Sequence, residues 1–160
     1  MTTGKTTIRK AITKDCFLCL PLLASLYHGD IGTDFGKTLE SYVAGDSSVV
    51  LLALSRSEPV GILIGSCQMD IDWEGKTARI DAIIVSDKHK RTGIGKHLSH
   101  HFFTLAREQT CKAVKSRVNT KNRTAQKFHE SLGFERAHTY EYNLKFPQKR
   151  LSAIDNVENK

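Results

Sequence analysis

Cysteine, proline and long apolar runs are all scarce in this sequence. It contains four cysteines and three prolines in 160 residues, and so few cysteines without a secretory leader favour reduced thiols over a disulfide scaffold. The longest apolar stretch, from Cys16 to Tyr27, is interrupted by Pro21, whereas a bilayer-spanning helix needs roughly 20 apolar residues. The opening residues, MTTGKTTIRK, also lack the apolar segment of a signal peptide. We therefore expect a soluble, cytoplasmic protein with no membrane partner.

Two groups of side chains have spacings that could bind a metal. Cys16 and Cys19 form a CxxC pair, but no second pair accompanies it and the segment is strongly apolar. We interpret both as buried core residues, with metal or redox chemistry as the alternative. His97, His100 and His101 share a helical face without a carboxylate or cysteine at ligand spacing. We therefore predict no metal site.

The order of the secondary-structure elements indicates one α/β domain. The sequence has no internal repeat or low-complexity segment, and about two-thirds of the surface of a chain this long can be buried. Apolar periodicity and turn residues predict strands at 6–10, 48–54, 60–69, 77–85, 113–118 and 139–146, and helices at 13–27, 35–43, 93–109 and 123–132. Strands 48–54 and 60–69 are apolar on both faces, which indicates a covered sheet. We expect a domain over residues 1–146, a kink or restart at Pro21, and a polar C-terminal tail at 147–160.

Charge is unevenly distributed along the chain. Residues 28–81 contain nine acidic and four basic side chains, a net charge of −5, whereas residues 88–127 contain one acidic and eleven basic side chains, a net charge of +10. The basic half suits a ligand with several phosphates, and the acidic half suits a cationic amine. A solvated basic face or a nucleic-acid surface is the alternative, although the basic segment has only Phe102 and Phe103 to stack on bases.

The segment KHKRTGIGKHL, residues 88–98, is typical of an anion-binding loop. Its glycines let backbone amides approach a ligand closely, and the helix that follows turns its unpaired N–H groups toward the same point. A dinucleotide-binding loop would need a third glycine at Leu98, and a Walker A loop would need Ser or Thr at His97. Both classes are excluded, and a phosphate ligand of another kind is expected.

Two segments of the sequence resemble the GNAT superfamily of N-acetyltransferases. Residues 90–95, KRTGIG, are similar to the family's pyrophosphate loop, Gln/Arg-x-x-Gly-x-Gly/Ala, and depart from it at Lys90. Residues 122–134, NRTAQKFHESLGF, are similar to a second family segment, with matches at Asn122, Ala125, Phe128, Gly133 and Phe134. Residues 77–134 resemble the GNAT core closely, and residues 6–146 resemble it by the order of elements.

The resemblance implies a fold, an activity and a co-substrate. The fold would be a single GNAT-like domain with a mixed, twisted central sheet flanked by helices. The activity would be transfer of an acetyl group from acetyl-coenzyme A (acetyl-CoA) to a primary amine by direct attack, without an acetyl-cysteine. The implied acetyl-CoA-binding residues are Ile83, Ile84, Val85, Lys90, Arg91, Thr92, Gly93, Ile94, Gly95, Lys96, Asn122 and Phe128.

The implied catalytic residues include one departure from the family pattern. His129 stands where the family usually has the tyrosine assigned to protonate the leaving thiolate, and an imidazolium, with a reference pKa of about 6.5, is a stronger acid than a phenol, at about 10. A packed, hydrogen-bonded histidine is the alternative, with Tyr140 or Tyr142 as the acid. Asp81 lies where many members carry a glutamate base, and its shorter side chain favours a water relay. A surface carboxylate paired with a cation is the alternative for Asp81.

Two further functions stay open at this stage. One is an acyl-CoA sensor that binds without turnover, and the other is a basic nucleic-acid-binding module, which is disfavoured because it leaves the motif pair unexplained. We expect a small-molecule or peptide amine as the acceptor and leave a homodimer open.

Overall fold

The computed structural model describes residues 6–26, 32, 34–139, 141 and 143–144. Five strands and four helices occur in this part of the chain. In chain order they are β1 (Thr7–Lys10), α1 (Cys16–Leu26), α2 (Phe35–Ala44), β2 (Ser48–Ser55), β3 (Glu58–Asp70), β4 (Gly75–Val85), α3 (Ile94–Glu108), β5 (Val114–Ser116) and α4 (Arg123–Ser131). The nine corresponding elements predicted from the sequence are confirmed, with boundaries that differ by a few residues.

The described strands form one mixed sheet in the order β1-β2-β3-β4-β5. β1 to β4 are antiparallel neighbours, whereas β5 is parallel to β4. The β2–β3 hairpin turns at Arg56 and Ser57, whose positive φ angles of 50° and 69° match a type I′ turn. The parallel β4–β5 pairing is short and ends at the pair Ile80 and Ser116. The expected mixed α/β sheet is therefore confirmed.

Apolar side chains cover both faces of the sheet. On one face, α3 contributes Leu98 and Phe102 to a cluster with alternate residues of β2, β3 and β4, including Ile80. On the other face, α1 and α2 contribute Leu23 and Leu39 to a second cluster with the intervening strand residues. This arrangement explains why β2 and β3 are apolar on both sides, since each side has its own helical layer.

The start of α1 is fixed by an ion pair. A short 3₁₀ turn precedes the helix, and Asp15 accepts hydrogen bonds from the Arg9 guanidinium at 2.6 Å and from the backbone N–H of Ile12 at 2.8 Å. α1 then continues without interruption past Pro21, so the expected restart does not occur. Cys16 and Cys19 are buried in the α1 and α2 cluster, as the core interpretation predicted, and burial raises the pKa of the Cys19 thiol to about 12.

The structure describes few of the residues for which predictions were made at the C-terminal end of the chain. Of the predicted strand 139–146, residues 139, 141, 143 and 144 are described and have no strand structure, and the other residues lie outside the described part. The tail at 147–160, and with it the predicted domain boundary, also lies outside and stays a prediction. None of the described helices has the length and apolar character needed to cross a membrane.

Candidate active site

The glycine loop between β4 and α3 has an unusual backbone. Arg91 and Gly93 both adopt left-handed conformations, with φ angles of 61° and 88°. The Thr92 hydroxyl donates a hydrogen bond to the carbonyl of His89 at 2.6 Å, which braces the turn between them. Gly93 then serves as the N-cap of α3. The sequence predicted that the glycines let the backbone approach a ligand closely, and the φ angle of Gly93 is one that other residues adopt at a cost.

Six consecutive backbone amides in this loop have no internal partner. Among the described residues, none accepts a hydrogen bond from the N–H groups of residues 91–96. The first internal bond of α3 is donated by His97 to the carbonyl of Gly93 at 3.0 Å. Unpaired amides at the start of a helix attract anions, since the helix dipole is positive there.

Basic side chains surround these amides. Lys88, Arg91 and Lys96 are exposed and form no ion pair within the described part of the chain. Lys90 instead forms an ion pair with Asp87, with Nζ and Oδ1 2.5 Å apart. Ile94 differs from its neighbours because its side chain is buried in the α3 cluster, so only its backbone faces a ligand. The loop therefore combines amides that donate no described hydrogen bond with three basic side chains that form no described ion pair.

Asp81 occupies a bulge in β4. Ile64 of β3 pairs with Ala82 and the next residue, Gly65, pairs with Ile80, which leaves Asp81 as the extra residue between them. Gly65 is required opposite the bulge, because a Cβ atom there would lie 2.6 Å from the carbonyl oxygen of Arg79. Arg79 donates a hydrogen bond through Nε to Oδ1 of Asp81 at 2.7 Å. The Asp81 side chain is 14% exposed, and its Oδ2 atom is buried without a hydrogen-bond partner in the described structure.

β4 and β5 separate directly after this bulge. Their pairing ends at Ile80 and Ser116, so residues 81–85 of β4 have no described strand on that side. The N–H of Ser86 bonds to Val60 of β3 at 2.9 Å, and backbone alternation therefore turns the N–H and C=O groups of Ile83 and Val85 toward the open edge. Ile84 has the opposite alternation, and its backbone groups face β3. Two of the three predicted β4 residues thus present backbone groups to the gap.

An ion pair holds β5 against the other end of β4. Asp70, at the end of β3, accepts hydrogen bonds from Lys115 Nζ at 2.5 Å and from the Thr77 hydroxyl at 2.9 Å. The Lys115 ammonium is the main reason why the pKa of Asp70 is lowered. The ion pair between Lys115 and Asp70 therefore holds β5 beside β4 as far as Ile80. The gap between the two strands begins after that residue.

Helix α4 brings the second motif against the loop. A Cβ atom on Gly95 would lie 3.3 Å from the ring of Phe128, which places Phe128 directly over the start of α3. Asn122 is exposed and caps α4, since its side-chain oxygen accepts from the N–H of Ala125 at 3.0 Å. The structure thus brings Phe128 to the loop and gives Asn122 a structural contact. Their roles in binding acetyl-CoA stay predictions.

His129 is buried, and both of its ring nitrogens are engaged. Nδ1 lies 2.9 Å from the carbonyl oxygen of Ala125, and Nε2 lies 2.9 Å from the hydroxyl of Ser116. A carbonyl only accepts hydrogen bonds, so the neutral ring carries its proton on Nδ1 and accepts from Ser116 at Nε2. This is the packed, hydrogen-bonded arrangement that the sequence left open as the alternative. The role of His129 as an acid stays a prediction, and the other candidates, Tyr140 and Tyr142, lie outside the described residues.

Sequence reasoning missed two residues of this site. Arg79 could have been found, because residues two apart on a strand share a face and an Arg-x-Asp spacing therefore indicates a pair. Ser116 carried no signal, since nothing in the sequence shows that β5 ends beside α4.

Comparisons with known proteins agree with this architecture. The model of the acetyltransferase (GNAT) family matches residues 21–134, and none of the curated proteins is significantly similar in sequence. Among solved structures, a ribosomal-protein-alanine N-acetyltransferase from Brucella melitensis biovar Abortus 2308 is 20% identical, with a TM-score of 0.75 over 89% of this chain and 100% of the other. The aminoglycoside 6'-N-acetyltransferase AAC(6')-Ih from Acinetobacter baumannii is 18% identical, with a TM-score of 0.79 over 90% and 100% of the two chains.

A third neighbour was solved with coenzyme A. The aminoglycoside N-acetyltransferase AAC(6')-Iy in complex with CoA is 18% identical, with a TM-score of 0.82 over 90% of this chain and 97% of the other. At these identities the neighbours show only the fold. The family model, which matches more than half of the chain, also shows the family. The chain belongs to the acetyltransferase (GNAT) family. The expected family, enzyme class and co-substrate are thereby confirmed: the protein is an N-acetyltransferase, and GNAT acetyltransferases use acetyl-CoA.

Proposed function

We propose that this protein transfers the acetyl group of acetyl-CoA to a primary amine by direct attack of the amine. The observation that supports this most is the continuity of two features: the open edge of β4 ends at Val85, and the six unpartnered amides of residues 91–96 follow a few residues later. Together the open edge of β4 and these amides form one continuous line of backbone groups, along which an extended, phosphorylated ligand can bind.

The residues of this line fit acetyl-CoA. The amides of residues 91–96 would hold the pyrophosphate, and Lys88, Arg91 and Lys96 would neutralise its charge and that of the 3'-phosphate. The free backbone groups of Ile83 and Val85 would bond to the pantetheine arm, as an added strand bonds to a sheet edge. When bound, acetyl-CoA supplies the activated acetyl thioester. A backbone N–H at the open edge would polarise its carbonyl group.

Asp81 would remove the proton from the attacking amine. An ammonium group has no lone pair, so a nearby base increases the fraction of acceptor that can react. Arg79 occupies Oδ1 of Asp81 and thereby fixes the carboxylate, and in the described part of the chain the buried Oδ2 has no partner. Asp81 shares a strand face with Arg79, opposite Ile80 and the α3 cluster. We infer that the amine approaches from the α1 and α2 side, directly or through one water.

The acceptor is proposed to be a small-molecule or peptide amine. Residues 28–81, which include α2 and the strand leading to Asp81, have a net charge of −5, and this favours a cationic acceptor. Two of the structural neighbours are named for aminoglycosides and one for the alanine of a ribosomal protein. These names indicate the amines with which a screen should begin.

Release of free coenzyme A tests the proposal. Purified protein would be incubated with acetyl-CoA and, in separate reactions, sisomicin, spermidine or a peptide with an N-terminal alanine, and the free thiol measured. We expect thiol release above the amine-free background with at least one amine. Binding of acetyl-CoA without thiol release from any amine would instead favour the sensor. Salt-sensitive binding of duplex DNA without coenzyme A binding would favour the nucleic-acid module.

A further inference from the structure

Ser116 lies at the point where β4 and β5 separate. It is the last residue of β5 and pairs with Ile80, the residue before Asp81. Paired residues of neighbouring strands point to the same face, and Ile80 belongs to the α3 cluster. The Ser116 side chain therefore lies on the face opposite Asp81, and it meets His129 of α4 there. The Asp81 carboxylate and the hydrogen-bonded Ser116 and His129 side chains therefore lie on opposite faces of the sheet, at the point where the gap between β4 and β5 begins.

Ser116 and His129 form a hydrogen-bonded chain with a defined direction. The Ala125 carbonyl accepts from Nδ1 of His129, and Nε2 lies 2.9 Å from the Ser116 hydroxyl. In the neutral ring, Ser116 donates to Nε2. In the imidazolium both ring nitrogens donate, so Nε2 then donates to the Ser116 oxygen and the hydroxyl hydrogen becomes free to point elsewhere. The same heavy-atom geometry serves both protonation states.

We propose that Ser116 delivers the proton to the leaving thiolate and that His129 acts through it; this rests on the acetyl transfer proposed above. As the bond between the acetyl carbon and sulfur breaks, the hydroxyl proton of Ser116 passes to sulfur and the Nε2 proton of His129 passes to the Ser116 oxygen. His129 returns to the neutral form with its proton on Nδ1. An ammonium acceptor gives up two protons to Asp81, one before the attack and one from the nitrogen as the amide forms, and Asp81 passes each to solvent. Solvent returns one proton to His129, so the reaction releases one proton overall and the protons balance.

The hydrogen bonds and ring contacts that the described residues make with the His129 side chain all come from uncharged groups. The groups in contact with His129 are the Ser116 hydroxyl, the Ala125 carbonyl, and the rings of Phe128 and Phe134. On the same segments, the charged side chains of Arg117 and Glu130 are paired with Glu141 and Arg136 respectively. The hydrogen bond to Ser116 therefore connects the imidazole to the point where β4 and β5 separate, and the rings of Phe128 and Phe134 pack against it.

Variants of Ser116 test the relay through turnover. Ser116→Ala should lower kcat by about 10- to 100-fold without changing the affinity for acetyl-CoA, because only a transition-state contact is removed. Ser116→Thr keeps a hydroxyl and should recover most of the rate. The double variant Ser116→Ala/His129→Gln should be no slower than its slower single variant, since the two residues act as one unit. Ser131→Ala is the control, because this hydroxyl on α4 is exposed and, within the described residues, bonds only to the Phe128 carbonyl.

A second measurement uses the protein without co-substrate. The ¹⁵N signals of the His129 ring, assigned by their loss in His129→Gln, should show that the neutral ring carries its proton on Nδ1. A neutral ring that carries its proton on Nε2 would overturn the relay. Wild-type kcat in Ser116→Ala, or equal rates for Ser116→Ala and Ser116→Thr, would also overturn it while leaving acetyl transfer intact. An acetyl group found on Ser116 by mass spectrometry would make Ser116 a nucleophile instead. Absence of thiol release by the wild type would overturn the proposed function and the relay together.

Discussion

Arg79 and Asp81 face the same side of β4, and Arg79 Nε donates to Oδ1 of Asp81 at 2.7 Å. The bulge places Asp81 outside the regular pairing with β3, and Asp81 is also the first residue of β4 beyond the pairing with β5. Arg79 occupies one oxygen, and the other is buried without a partner among the residues that the structure describes. Buried carboxylate oxygens are normally hydrogen-bonded, and this exception is accounted for if Oδ2 accepts from the substrate or from a water.

Replacing Asp81 by asparagine should therefore impair the reaction without disturbing the fold. Asparagine keeps an oxygen for Arg79 but cannot accept the amine proton, so kcat/KM for the amine should fall about 100-fold. The loss should be greatest at low pH, where most of the acceptor is protonated, and smaller as the pH approaches the pKa of the amine. Rates of Asp81→Asn and of Asp72→Asn, an exposed control, would be compared from pH 6 to 10. A loss that is equal at every pH would argue against the base.

Gly93→Val should weaken coenzyme A binding while the protein stays folded. A Cβ atom at Gly93 has room, since its nearest neighbour would be Cε1 of His97 at 3.9 Å. The obstacle is the left-handed φ angle of 88°, which costs other residues about 1–2 kcal/mol. The loop should relax and misalign its amides, with a loss of affinity of about tenfold or more. Calorimetry would measure it, with Gly36→Ala in α2 as the control, because a Cβ there meets nothing. Unchanged affinity in folded Gly93→Val would rule out the amide site.

Lys88, Arg91 and Lys96, the basic side chains around the loop, should bind the phosphates of the ligand. Lys88, Arg91 and Lys96 have no ion pair among the described residues, so each is available to a phosphate. Acetyl-CoA should bind more tightly than its 3'-dephosphorylated analogue, and added salt should narrow the difference because exposed charges are screened within about 10 Å at 0.1 M salt. Titrations at two salt concentrations measure this. Equal affinities at low salt would contradict a phosphate-binding surface.

The ion pair between Arg9 and Asp15 should make stability depend on pH. The hydrogen bond from Arg9 is the main reason why the pKa of Asp15 is lowered in the folded protein. A lowered folded-state pKa stabilises the protein above the ordinary aspartate pKa of about 4, and this contribution is lost as the pH falls through the lowered value.

Asp15→Asn should accordingly reduce the free energy of unfolding at pH 7 by about 1 kcal/mol, a modest value because the Arg9 side chain is 43% exposed. The difference from the wild type should shrink below about pH 4. Urea unfolding between pH 2 and 7 would show this, with the exposed Asp46→Asn as a control expected to change little. If the difference in free energy of unfolding between the wild type and Asp15→Asn is the same at pH 2 as at pH 7, the effect comes from packing and not from the ion pair.

The order of elements and the conformation of the glycine loop could be predicted from the sequence because they depend on local patterns. The apolar periodicities of β2, β3 and α3 are properties of neighbouring residues, and Gly93 is required by the backbone angle of a single position. The resemblance of residues 90–95 and 122–134 to the family motifs named the right family for the same reason. Where the local signal was weak, as for β5 with its three residues, the predicted strand was too long.

The arrangement of the candidate catalytic residues was decided by tertiary structure. The bulge at Asp81 depends on the pairing of β4 with β3 and on the lack of a side chain at Gly65, where Arg79 and Phe102 approach. The partner of His129 is Ser116, thirteen residues earlier on another element, and it meets His129 only because α4 packs beside the end of β5. Spacing along the chain carries no information about such contacts, since they form only when the sheet and its helices have assembled.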